Sequence, residues 1–101
     1  FDARRFFQDA FGITQAAKPW RVRLLFSQRV GTYIKERLWH PSQRLRTRRD
    51  GRVELRLQTS GRKELTRWVL SWMPDVTVLA PAELKARVVA RLQEGLAGLA
   101  G

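Results

Sequence analysis

Apolar residues recur with a period of two in four short runs of this chain and with a period near 3.6 in longer ones, and glycine or proline marks most of the breaks. In WRVRLLF, Trp20 to Phe26, the side chains of Val22, Leu24 and Phe26 alternate with Arg21 and Arg23, which predicts a half-buried strand. The stretch Gln43 to Gln58, QRLRTRRDGRVELRLQ, alternates arginine with apolar residues on both sides of Asp50-Gly51 and predicts a hairpin. Its loop length follows from parity, because residues paired across a hairpin share a face of the sheet. A two-residue loop sets Arg48 against Val53 and Arg46 against Leu55, spoiling the apolar face. A three-residue loop, Arg49-Asp50-Gly51 with a left-handed Gly51, pairs Thr47 with Val53 and Leu45 with Leu55, and Arg44, Arg46, Arg48, Arg52 and Arg56 then share the other face.

Helical spacing fills the intervals. Ser27 is placed to cap a helix reaching about Trp39, with Val30, Tyr33, Ile34 and Leu38 as its stripe, Gly31 weakening its first turn and His40-Pro41 stopping it. Gly61 opens a second helix, with Glu64 placed to help cap its start and Leu65, Trp68, Val69 and Trp72 as its stripe; Pro74 ends it. A short strand follows from Val76 to Leu79. Pro81 then fits the first turn of a last helix that aligns Leu84, Val88, Leu92, Leu96 and Leu99, with Gly95 and Gly98 expected to fray its end. Upstream, Phe1, Phe6, Phe7, Ala10 and Phe11 make Phe1 to Gly12 an amphipathic helix, and Thr14 to Pro19 reads as a linker. The order after residue 19 predicts an α+β fold: a ferredoxin-like βαββαβ sandwich, with a four-stranded antiparallel sheet, a C-terminal helix and an N-terminal helical segment.

Charge adds a direction to that sheet. The chain of 101 residues carries a net charge of +11, and the segment from Arg21 to Arg56 holds eleven basic and three acidic residues, a local +8. A field concentrated on one region suits a polyanion more than general solubility does. A coding bias towards arginine is the bland account. Arg21, Arg23, Arg44, Arg46, Arg48, Arg52 and Arg56 fall on the open face, with Glu54 opposite Arg46 as acidic relief. Guanidinium forks match phosphate oxygens, so the face is a candidate backbone binder. Strand positions there offer no aromatic for base stacking except Trp20, which argues against sequence readout of a single strand.

Other chemistry is sparse. The chain has no cysteine and one histidine, His40, with no second ligand pattern, so neither a thiol-held metal nor any cofactor is expected. No carboxylate pair, nucleophile motif or phosphate-cradling glycine loop appears, so an enzyme is not expected. No apolar run is long enough to cross a bilayer. Lys85, Arg87 and Arg91 beside the leucine stripe suit a packing or dimer helix better than a membrane surface.

Together the FxxxFG element at Phe7 to Gly12, the strand WRVRLLF, the WHPSQ turn, the DG hairpin, the ELxxWVLSW helix and the VLAPxEL junction resemble the C-terminal part of bacterial WYL-domain transcriptional regulators. Residues 19–101 resemble the WYL C-terminal extension, the WCX domain, and residues 1–18 the tail of a preceding WYL domain with its linker. A first residue other than methionine fits a piece of a longer chain. Trp72-Met73-Pro74 departs from the glycine common there in related sequences. The resemblance implies a cytoplasmic homodimeric regulator that meets operator DNA through an N-terminal helix-turn-helix. It also implies an effector such as single-stranded DNA or a nucleotide, sensed by the WYL and extension region. On that footing Ser42 and Gln43, in the turn at the domain junction, and His40 beside them, join the arginines as candidate effector contacts.

Overall fold

The computed structural model describes residues 18–100. The helix expected over Phe1 to Gly12 lies outside them. The strands are β1 (Trp20–Phe26), β2 (Arg44–Thr47), β3 (Val53–Thr59) and β4 (Val76–Ala80), and the helices α1 (Gln28–Lys35), α2 (Arg62–Ser71) and α3 (Ala82–Ala100). They form one antiparallel sheet in the order β2-β3-β1-β4, with β1 and β3 central, as the ferredoxin-like reading requires.

The hairpin has the register that parity predicts, with Thr47 opposite Val53, Leu45 opposite Leu55 and Arg44 opposite Arg56. Its three-residue loop closes through Arg48 N–H to the Arg52 carbonyl at 2.8 Å and Gly51 N–H to the Arg48 carbonyl at 3.0 Å. Gly51 has φ +86°, a conformation that side chains with a Cβ rarely adopt. The apolar face of the sheet, carrying Val22, Leu24, Phe26, Val53, Leu55, Leu57, Val76 and Val78, packs against Ile34 of α1, Leu65 and Val69 of α2 and Leu84 and Val88 of α3. Burying each such side chain contributes about 1.5 to 3 kcal/mol, so this layer accounts for most of the stability.

Above Phe26 the aromatic residues form a cap. Trp68 and Trp72 meet its ring edge-on at 6.0 and 5.7 Å, and Trp39 lies over Trp68 at 5.2 Å. Trp39 thus closes the core beside Trp68 and Trp72, which pack as their helical stripe predicts.

Four local expectations need correction. Helix α1 stops at Lys35, four residues short of Trp39, because the Ile34 carbonyl accepts the Trp39 indole N–H at 3.1 Å. Ser27 makes no side-chain cap; its hydroxyl donates to Asp75 Oδ1 at 2.8 Å, and Arg29 holds the same carboxylate with Nη2 at 2.8 Å, tying α1 to the turn before β4. No side chain caps α2 at Gly61, and Glu64 sits in its first turn, where the helix dipole favours an acid. Helix α3 runs unbroken through Gly95 and Gly98, while Leu92, Leu96 and Leu99 are 46%, 68% and 86% exposed. A 19-residue helix is ~28 Å long at 1.5 Å per residue, whereas the five residues of β4 span only ~17 Å. The stripe outruns its core.

Gly31 is a point of close approach more than a weakness in α1. A Cβ there would lie 2.9 Å from Val53 Cγ2 and 3.2 Å from the Gly51 carbonyl, in the core under the hairpin. Gly31→Ala is expected to destabilise the domain by about 1 to 3 kcal/mol, because Val53 is β-branched and fully buried and has nowhere to move. Urea denaturation checks this; an unchanged midpoint would mean that α1 can lift from the sheet freely.

Candidate anion-binding face

The face of the sheet away from the helices carries the arginines in rows. Arg44, Arg56 and Arg23 lie abreast across β2, β3 and β1, with Arg21 beside Gln58 on one side and Arg46, Glu54 and Leu25 on the other. Neighbouring strands are about 4.7 to 4.9 Å apart, so the three guanidinium stems of the first row stand shoulder to shoulder. Like charges directly opposite destabilise a sheet unless something intervenes.

Glu54 intervenes, though not through Arg46, its partner in register. Arg23 reaches Glu54 with Nε at 3.1 Å and Nη2 at 3.3 Å, Arg48 with Nη2 at 3.0 Å, and Arg56 with Nε at 2.5 Å. The Glu54 side chain is only 4% exposed beneath these groups. Hydrogen bonds from Arg23 and Arg56 hold its pKa down at about 2, against the opposing effect of burial, and the Arg23 pKa is raised in turn, chiefly by its hydrogen bond to Glu54. At the hairpin tip Arg52 is engaged separately. Its Nε donates to Asp50 Oδ2 at 2.7 Å and its backbone N–H to Asp50 Oδ1 at 3.0 Å, which lowers the Asp50 pKa.

Arg21, Arg44 and Arg46 have no carboxylate partner among the described residues. Arg21 and Arg44 line one cleft of about 260 Å³ together with Arg23, Arg56, Ser42 and Gln58. A second, of about 400 Å³, lies beside Arg46, Arg48 and Arg49. Seven arginines expected on this face are therefore divided: three gathered on Glu54, one held at the tip, and three without an anion among the described residues. Leu25 shares the face in register with Glu54 but is buried, 5% exposed.

The WHPSQ turn borders the first cleft. Gln43 Oε1 accepts the backbone N–H of Trp39 at 2.5 Å and of His40 at 3.1 Å, and its Nε2 donates to the Arg37 carbonyl at 3.0 Å. Its amide is thereby committed to the turn, and Gln43 does not line the cleft. His40 is buried, which lowers its pKa; Nδ1 accepts the Ser42 N–H at 3.1 Å, so the neutral ring carries its proton on Nε2. Ser42 Oγ lies 2.7 Å from that Nδ1 and accepts the Gln58 N–H at 2.9 Å, continuing the β2-β3 pairing by one side chain. Ser42, expected at the junction, thus lines the cleft, and Gln58 is a cleft residue that the arginine pattern alone does not reveal; its signal is the hairpin register carried two residues past Arg44. Among the described residues no cluster of histidine or acidic groups is arranged to hold a metal ion, and no helix is long and apolar enough to cross a membrane.

The depressed carboxylates give a pH dependence of definite sign. The pKa of Glu54 in the folded state lies below its ordinary value of 4.5, so its stabilising contribution is complete above that value and is lost as pH falls towards about 2. Asp75 and Asp50, also lowered, act in the same direction. Stability in urea is expected to begin falling below about pH 6.5, because buried neutral His40 takes up a proton more readily when unfolded, and to fall more steeply below about 5 as the three carboxylates are protonated. A midpoint that stays constant down to the lowest pH of that window would contradict the Glu54 cluster.

A β2-β3-β1-β4 antiparallel sheet with helices on one face and arginines on the other defines a ferredoxin-like α+β domain with a cationic open surface. Residues 18–96 match the WCX domain family, and the chain belongs to that family, a placement that supports a regulatory role. None of the curated proteins is significantly similar to the chain.

Proposed function

We propose that this domain is the effector-sensing and dimerising extension of a WYL-family helix-turn-helix transcriptional regulator, and that it takes a nucleic acid or nucleotide effector on the arginine face. The observation that carries the reading is the cleft at Arg21 and Arg44, two exposed cations with no counter-ion among the described residues, flanked by Arg23 and Arg56, which Glu54 holds in place. Phosphate oxygens supply what that arrangement lacks, and binding by backbone charge needs no stacking aromatic on the sheet. The long exposed stripe of α3 supports the dimer. Operator DNA belongs, on this reading, to another domain of the regulator. The work of this one is binding without catalysis or a cofactor.

A fluorescent single-stranded oligothymidylate tests the reading. Binding is expected at low salt, with log K falling linearly against log salt at roughly 0.7 per phosphate contacted, and persisting measurably at physiological salt. No binding at low salt would favour a structural domain whose basic face docks only on protein.

A further inference from the structure

A second cationic site lies on the opposite side of the sheet, where α2 and α3 pack together. Lys63 and Arg67 stand one turn apart on α2, and Arg87 and Arg91 one turn apart on α3; all four line a single cleft of about 130 Å³. Like charges at this spacing destabilise a helix, and here two such pairs from different helices face one space. The internal relief is slight. Glu94 reaches Arg91 at 3.6 Å from a side chain 69% exposed, and Lys63, Arg67 and Arg87 have no carboxylate partner among the described residues. Four cations against one loosely held acid leave three net positive charges around the cleft.

Two of its walls are fixed. The Arg87 guanidinium lies 5.6 Å from the Trp20 ring centroid, and Trp20 is buried, so that cation sits on a rigid support. Thr66 is 4% exposed, with its hydroxyl donating to the Arg62 carbonyl at 2.7 Å, which sets the floor.

We infer that the α2-α3 cleft is a second phosphate-binding site, independent of the arginine sheet face, so that the domain can hold phosphate groups on both sides at once. Its size favours a compact oxyanion with room for one or two phosphoryl groups, and the two-helix arrangement presents cations from opposite walls as such a group requires. The inference does not depend on what occupies the sheet face.

The test is an amide-resolved NMR titration of the whole chain with inorganic pyrophosphate at low ionic strength, followed by the same titration with oligothymidylate. Pyrophosphate is expected to shift the amides of Lys63, Arg67, Arg87 and Arg91. Those shifts should survive Arg21→Glu with Arg44→Glu, and weaken roughly tenfold or more in Arg67→Gln with Arg91→Gln, which removes two charge-assisted contacts without introducing repulsion. Tighter binding of oligothymidylate at the same amides would identify a polynucleotide backbone as the source of the phosphate, and tighter binding of pyrophosphate a free one; either supports the site. Shifts absent at these four residues, unchanged in the Arg67/Arg91 variant, or produced only by polyglutamate would overturn it.

Discussion

Glu54→Gln should lower the melting temperature and raise the affinity for anions in the same protein. Three guanidinium groups share this one carboxylate, at 2.5 to 3.3 Å, and its side chain is almost wholly covered by them. Hydrogen bonds to a charged group contribute about 1.5 to 3 kcal/mol net. The arginines that remain can recover part of the loss by turning to water, so about 2 kcal/mol is expected overall, or a fall of ~8 to 16 °C for a domain of this size. The neutral amide also removes the main source of acid sensitivity, so the limb below pH 5 should flatten. Meanwhile Arg23, Arg48 and Arg56 are released to the solvent side, and the salt slope for oligothymidylate should steepen by about 0.7 for each one that finds a phosphate. An unchanged melting temperature together with an unchanged salt slope would show that Glu54 neither supports the sheet nor competes for its arginines.

The second large effect is expected from Arg21→Glu combined with Arg44→Glu. Both residues are exposed and neither has a carboxylate partner among the described residues, so their reversal removes no ion pair seen there. Arg56 is a poorer choice because a carboxylate in its place would face Glu54 directly, and lost folding would then look like lost binding. Two charge-assisted contacts together are worth about 3 kcal/mol at the low end, so oligothymidylate affinity should fall roughly a hundredfold, and the salt slope should drop by about 1.4. The melting temperature should hold. Affinity and slope both unchanged would remove nucleic acid from the sheet face.

Much of this site was legible from residue order, and the reason is the rigid period of a strand. Alternation placed Arg44, Arg46, Arg48, Arg52 and Arg56 on one face, and parity about Asp50-Gly51 fixed the hairpin register to the residue. The topology followed from element order. What escaped was set by side chains reaching across elements. The end of α1 depends on the indole of Trp39 folding back on Ile34, and no local propensity encodes that. Gln43 is polar and sits beside the arginines in sequence, yet its amide is committed to three backbone groups of its own turn. Glu54 was placed correctly opposite Arg46, but its true partners include Arg23, which only the β1-β3 register brings near. The α2-α3 cleft is the clearest such case. Lys63 with Arg67 and Arg87 with Arg91 are ordinary surface pairs on either helix alone, and they become one site only when the helices pack.

The shortest strand has a bearing on how the protein behaves in concentrated solution. β2 is four residues long and forms one rim of the sheet, where unpaired backbone groups invite another chain to add itself. A second copy approaching that rim would bring Arg44 and Arg46 close to their own counterparts, in a row already crowded with positive charge. The arrangement proposed to draw in a phosphate thus also repels its own kind, and uncontrolled growth of the sheet from copy to copy is opposed at that edge.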